Sequence, residues 1–110
     1  MIVTTQNHIA DRRIEIVGPV MGNTVRTKHV GKDILAVFKT IFGGEIEEYS
    51  RMMAESREQA LDRLKKKAKL RGADAVIGLR FTTSAVMAGA AEILAYGTAV
   101  RFLDKNERIL

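Results

Sequence analysis

His8 and His29 are the two imidazoles in this 110-residue chain, and it has no cysteine. His29 and Asp33 stand four residues apart, the spacing that puts two side chains on one face of a helix. An imidazole and a carboxylate so placed suit a divalent ion, provided the helix expected after them begins as early as His29. Without thiolates, a soft metal would have to be held by thioethers, of which Met21, Met52, Met53 and Met87 are the candidates. The plainer reading is that both histidines sit in exposed loops and the methionines fill gaps in the core. His29 and Asp33 are therefore the metal candidates, either within one chain or as one donor per subunit around a symmetry axis.

Catalytic groupings are weaker. Ser50, Ser56 and Ser84 lack the glycine-flanked setting of a nucleophile elbow. Glu47 and Glu48 are adjacent, so on a helix they point to different faces and cannot act as a dyad. Gly18, Gly22, Gly43 and Gly44 do not have the spacing of a phosphate-cradling loop. No catalytic residue is assigned, and no enzyme activity is expected.

The net charge of +5 is concentrated. Residues 57–71 carry Arg57, Arg63, Lys65, Lys66, Lys67, Lys69 and Arg71 against Glu58 and Asp62, while Glu45, Glu47, Glu48 and Glu55 precede them. Acids near the start of a helix and bases near its end match the helix dipole, which accounts for much of the pattern. The same cluster could touch phosphates, but aromatic residues are not interleaved with it, so nucleic acid is not an expected partner. No apolar run approaches the ~20 residues that cross a bilayer, and the opening residues lack a basic-then-apolar leader. The expectation is a soluble cytoplasmic protein with no membrane partner.

These residues need elements to position them. Ile2 to Thr5 is β-prone, and Arg13 to Val17 alternates polar and apolar. That second strand could run on to Val25, with Pro19 placing it at a sheet edge or on a bulge. Asp33 leads into an apolar helix over 34–42 that Gly43-Gly44 ends. Residues 45–71 read as one long helix, its stripe formed by Ile46, Tyr49, Met53, Ala60, Leu64 and Ala68 and its stop by Gly72. Glu47–Arg51 and Asp62–Lys66 are i,i+4 pairs in the favourable order on it. At ~1.5 Å per residue it exceeds what so small a globule covers, so it either projects or lies under a neighbouring subunit. After the Gly72-Ala73-Asp74 turn, Ile77, Leu79 and Phe81 are expected on one strand face, opposite the helix stripe. Residues 84–91 read either as a hairpin connection or as parts of strands. Residues 93–103 then alternate, with Leu94, Tyr96, Thr98, Val100 and Phe102 on one side, before a charged tail expected to fray from Asp104. The expected fold is a single α+β domain over 1–110, β-β-α-β-β, with an antiparallel sheet crossed by the long helix.

Taken together, several tracts resemble one family. They are Gly18-Pro19-Val20-Met21-Gly22-Asn23-Thr24-Val25, the apolar stretch ending in Gly43-Gly44, Arg57-Glu58-Gln59-Ala60-Leu61, Gly72-Ala73-Asp74-Ala75-Val76-Ile77-Gly78, and Tyr96-Gly97-Thr98-Ala99-Val100. In this order they are similar to the YbjQ-like proteins, a family labelled as heavy-metal-binding. The resemblance implies a dodecin-like α+β subunit that assembles into a ring, typically a pentamer, and it implies no reaction and no agreed ligand residues. The small-residue tract 84–91 departs from the more polar stretch usual there.

Two functions fit. One is an oligomeric binding protein for a metal ion or small ligand between subunits, its cofactor, if any, a metal ion. The alternative is a scaffold that docks an anionic partner, a nucleic acid or an acidic protein, through the basic end of the long helix.

Overall fold

The computed structural model describes residues 1–27, 46–87 and 90–104. The short helix expected over 34–42, its Gly43-Gly44 stop, His29, Asp33 and the tail beyond Asp104 lie outside the described residues.

The elements run β1 (Ile2–Val3), β2 (Ile14–Thr27), α1 (Ile46–Leu70), β3 (Ala75–Met87) and β4 (Ala90–Phe102). They form an α+β unit whose sheet has the order β1-β3-β4-β2. The expectation of a purely antiparallel β-β-α-β-β sheet is corrected. β1 does not pair with β2 but lies parallel to β3, with Ile2 opposite Ala75 and Val3 opposite Val76. The cause is the segment that follows β1. It carries the chain along β3, with Leu79 N–H donating to Thr4 O at 3.0 Å and Gly78 N–H to Gln6 O at 2.8 Å, before β2 begins on the far edge. β3 and β4 form a long antiparallel hairpin, with Ala85 opposite Ala91 and Met87 opposite Ala90. Of the two readings of residues 84–91, strand is therefore what most of them adopt.

Pro19 sits where a strand tolerates it. β2 is an edge strand, and its register slips between Ile16 and Gly18, two residues before the proline. α1 ends as its sequence requires. Gly72 has φ +76°, its N–H reaches Lys69 O at 3.0 Å, and Ala73 N–H reaches Ala68 O at 3.0 Å. Those two bonds are a Schellman cap, which a left-handed glycine makes possible.

The helix stripe is buried as its spacing predicts. Ala60, Leu64 and Ala68 are fully buried, and Met53 and Leu61 pack beside them. The side chains of Ile46 and Tyr49 lie outside the description. This stripe closes on Val20, Val76, Leu79, Ile93, Ala95 and Ala99. Among the sheet residues under the helix Ala95 and Ala99 are small, and Gly22 lies directly under the helix backbone at Ala60 and Leu64. Burying such a stripe is worth about 1.5–3 kcal/mol for each large aliphatic side chain, and it holds the helix on the sheet.

One strand face came out differently. Ile77, Leu79 and Phe81 do not share a side. The register of β3 shifts between Ile77 and Arg80, and Gly78 has φ +63°. A left-handed glycine at a bulge inserts one unpaired residue and reverses the alternation beyond it. Val76 and Leu79 therefore both face the helix, while Ile77 joins Ala75, Val100 and Phe102 in a second cluster on the opposite face. Phe81 stands exposed. The second cluster is roofed by Ile9 and Ile14.

The loop between β1 and β2 is fastened there by Arg12. Its guanidinium lies 3.9 Å from the centre of the Phe102 ring, and its Nε and Nη2 both meet the Asp104 carboxylate at 2.9 Å. Asp104 is thus held, not frayed. The described residues extend over 60 × 22 × 18 Å, with a radius of gyration of 18.2 Å. A compact chain of this length has about 13 Å.

Candidate functional site

Only part of the expected metal chemistry falls on described residues. His29 and Asp33 lie outside them. His8 is exposed in the loop after β1. Among the methionines, Met53 packs against the helix-side core, and Met21 is exposed on β2, next to a Val20 that points into that core. Adjacent strand residues face opposite sides, so the sheet separates these two thioethers. Among the described residues no group of three or more His, Cys, Asp or Glu side chains could hold a metal.

Of the serines, Ser56 is buried and donates its Oγ hydrogen bond to the Met52 carbonyl one turn back at 2.8 Å. A helical serine commonly makes this bond, and it leaves the hydroxyl engaged. Ser50 and Ser84 are exposed.

The basic stretch divides into two kinds of residue. Arg63 donates from Nη1 to the Asn23 carbonyl at 2.6 Å. Arg71 donates from Nη1 to the Pro19 carbonyl and from Nη2 to the Val17 carbonyl at 3.4 Å. These guanidiniums reach from the helix to carbonyls on the outer edge of β2, where a sheet offers no partner. Composition did not reveal this role. The available sign was Pro19, since a proline in a strand marks an edge whose carbonyls need donors. Arg80 is also engaged, with Thr5 O at 3.1 Å and Leu79 O at 2.7 Å. Among the described residues, what remains for a partner is Arg57, Lys66, Lys67 and Lys69, all exposed on α1, with Lys65 half-buried beside them. Asp62 is exposed on the same helix.

At the end of α1, a shallow cleft of about 360 Å³ is lined by Pro19, Val20, Met21, Lys67, Leu70 and Arg71. Its floor is apolar and Leu70 is 87% exposed, with two cationic side chains at the rim. Such an exposed leucine beside a strand edge suits a macromolecular contact better than a small polar ligand. No helix among the described residues is long and apolar enough to cross a membrane.

Comparison with known proteins covers nearly the whole chain. Residues 1–103 match the YbjQ family, described as "Putative heavy-metal-binding". A UPF0145 protein of Archaeoglobus fulgidus is 62% identical over 102 residues, spanning 92% of this chain and 94% of that one. A UPF0145 protein of Photobacterium profundum is 57% identical over 101 residues, spanning 92% and 98%. The crystal structure of a protein of unknown function of the DUF74 family from Pediococcus pentosaceus superposes with a TM-score of 0.70 at 23% identity, covering 93% of this chain and 97% of that one. At that identity the likeness concerns the fold.

Proposed function

The chain belongs to the YbjQ family, and from that membership we propose that it works as a homo-oligomeric, non-enzymatic binding protein of the cytoplasm. Its site for a metal ion or small ligand forms between subunits, in a ring that by resemblance has five members. The observation that carries the assembly is shape. Among the described residues, a radius of gyration of 18.2 Å and a hairpin exposed on consecutive residues from Phe81 to Ala85 leave surface that the subunit does not enclose. A second copy is the natural cover. The family description supports a metal as the ligand. Symmetry supplies what one chain lacks: a single imidazole or carboxylate repeated around an axis becomes a multidentate site, with His29 and Asp33 as the donors to test.

Native mass spectrometry of the protein as purified, then with Zn²⁺, Cu²⁺, Ni²⁺ or Cd²⁺ added, reads subunit number and bound ions together. The expected result is an oligomer that takes up an integral number of ions, with uptake lost in His29→Ala and Asp33→Ala. A 12.2 kDa monomer defeats the assembly, and an oligomer indifferent to every ion defeats the metal.

A second reading rests on the exposure of Lys66, Lys67 and Lys69 at the end of α1. Repeated around a ring, they would draw in an anionic partner, and that binding would weaken steeply with salt.

A further inference from the structure

We propose that subunits join edge to edge, the outer edge of β2 in one copy pairing with the free edge of β3 in the next, so that one sheet runs on through the assembly. The proposal rests on the homo-oligomeric reading above and specifies its contact.

The direction in which β2 presents its backbone follows from three residues. Pro19 has no N–H, and its carbonyl takes Arg71. The Asn23 carbonyl takes Arg63. In an antiparallel ladder the N–H and C=O of one residue point the same way, so Pro19 and Asn23 face away from β4. The pairing of β2 with β4 is unbroken from Gly18 to Thr27. Met21, Val25 and Thr27 therefore turn outward as well, and among the described residues nothing meets the backbone groups of Met21 and Val25.

The opposite edge of the sheet is open at the same end. The segment after β1 accompanies β3 only as far as Leu79, through the Thr4–Leu79 bond. Beyond it, Phe81 to Ala85 are all exposed, with no strand on their outer side among the described residues. The two open stretches, Val25–Thr27 beyond the last guanidinium and Phe81–Ala85, carry one charge between them, Arg26. Monomeric proteins guard such edges with lysines, prolines or inward-pointing charges, and here the guarding guanidiniums stop at Asn23.

The two edges are different surfaces, so the contact is heterologous, the kind that closes into rings. β2 and β3 are both antiparallel to β4 and hence run in the same direction. Around an axis along the strands, β2 of one copy lies parallel to β3 of its neighbour.

The absence of cysteine makes a direct test clean. Val25 and Ser84 both stand opposite Glu92, at one level on one sheet face, and Thr82 lies two residues away on that face. Oxidation of Val25→Cys/Ser84→Cys or Val25→Cys/Thr82→Cys should give covalent multimers on a non-reducing gel, while each single variant stays a monomer on that gel. In parallel, Val25→Pro removes an outward N–H and should keep the wild-type circular dichroism while light scattering falls to one subunit. An oligomeric wild type that neither double variant cross-links, or that cross-links through Val25→Cys alone, overturns the edge pairing and leaves the oligomer standing. So does a folded Val25→Pro of unchanged mass. A monomeric wild type overturns both. Should Val25→Pro fail to fold, the cysteine pairs decide.

Discussion

Gly22 lies so close beneath Leu64 that a Cβ at Gly22 would overlap the Leu64 backbone nitrogen and the carbonyl oxygen of Ala60. Two backbones in contact leave nothing flexible to yield, so this pair fixes the height of the helix above the sheet. Gly22→Ala should destabilise by about 3 kcal/mol or more, at the upper end of overpacking costs. Gly72→Ala is the control: among the described residues nothing lies within 4 Å of its Cβ, and only the positive φ is strained. It should cost about 1–2 kcal/mol. Urea unfolding followed by circular dichroism measures both, and equal losses would contradict the contact.

Thr24 is 2% exposed, and among the described residues its Oγ1 has no hydrogen-bond partner. A buried hydroxyl without a partner costs about 1–3 kcal/mol relative to an apolar group of the same shape. Thr24→Val should therefore raise the thermal midpoint, contrary to the usual effect of a core substitution. Scanning calorimetry would show it, and a lowered midpoint would mean that the hydroxyl is satisfied.

Arg12 and Asp104 join the loop after β1 to the end of β4, and both side chains are less than one-fifth exposed. Removing either takes the paired charge away from a side chain that is mostly buried. Arg12→Ala and Asp104→Ala should each cost about 2 kcal/mol, the value of hydrogen bonds to charged groups. The double variant should cost less than the sum of the two, and strict additivity in a double-mutant cycle would rule out the pair.

Arg71 serves two carbonyls at the β2 bulge. Arg71→Met keeps the stem and removes the donors, and because the site is exposed the loss should be modest, about 1 kcal/mol. If the basic helix end instead exists for an anionic partner, Arg71→Met should leave stability untouched. Lys66→Ala is the comparison, expected to change stability by less than about 0.5 kcal/mol.

The helix was legible almost to the residue because both its signals are local: a stripe at spacings of three and four, and a glycine immediately after a basic turn. The edge position of β2 was also legible, through Pro19. What period two could not reveal was the bulge at Gly78, because one inserted residue leaves the local sequence looking like an ordinary strand. The β1–β3 pairing was hidden for another reason. It joins residues more than seventy positions apart, and two residues of strand carry too little pattern to choose a partner. For the site, composition gathered seven basic residues into one cluster, yet Arg63 and Arg71 turn to the backbone of β2, a distinction that depends on tertiary distance. His29 and Asp33 fall outside the described residues.

The bulge at Gly78 divides β3 into two phases. Before it, odd-numbered side chains supply the cluster under the loop; after it, the odd-numbered Leu79 faces the helix. Deleting that one glycine would not merely shorten the strand. It would transpose the lining and the outer surface of everything beyond it, as a lost letter shifts every word downstream.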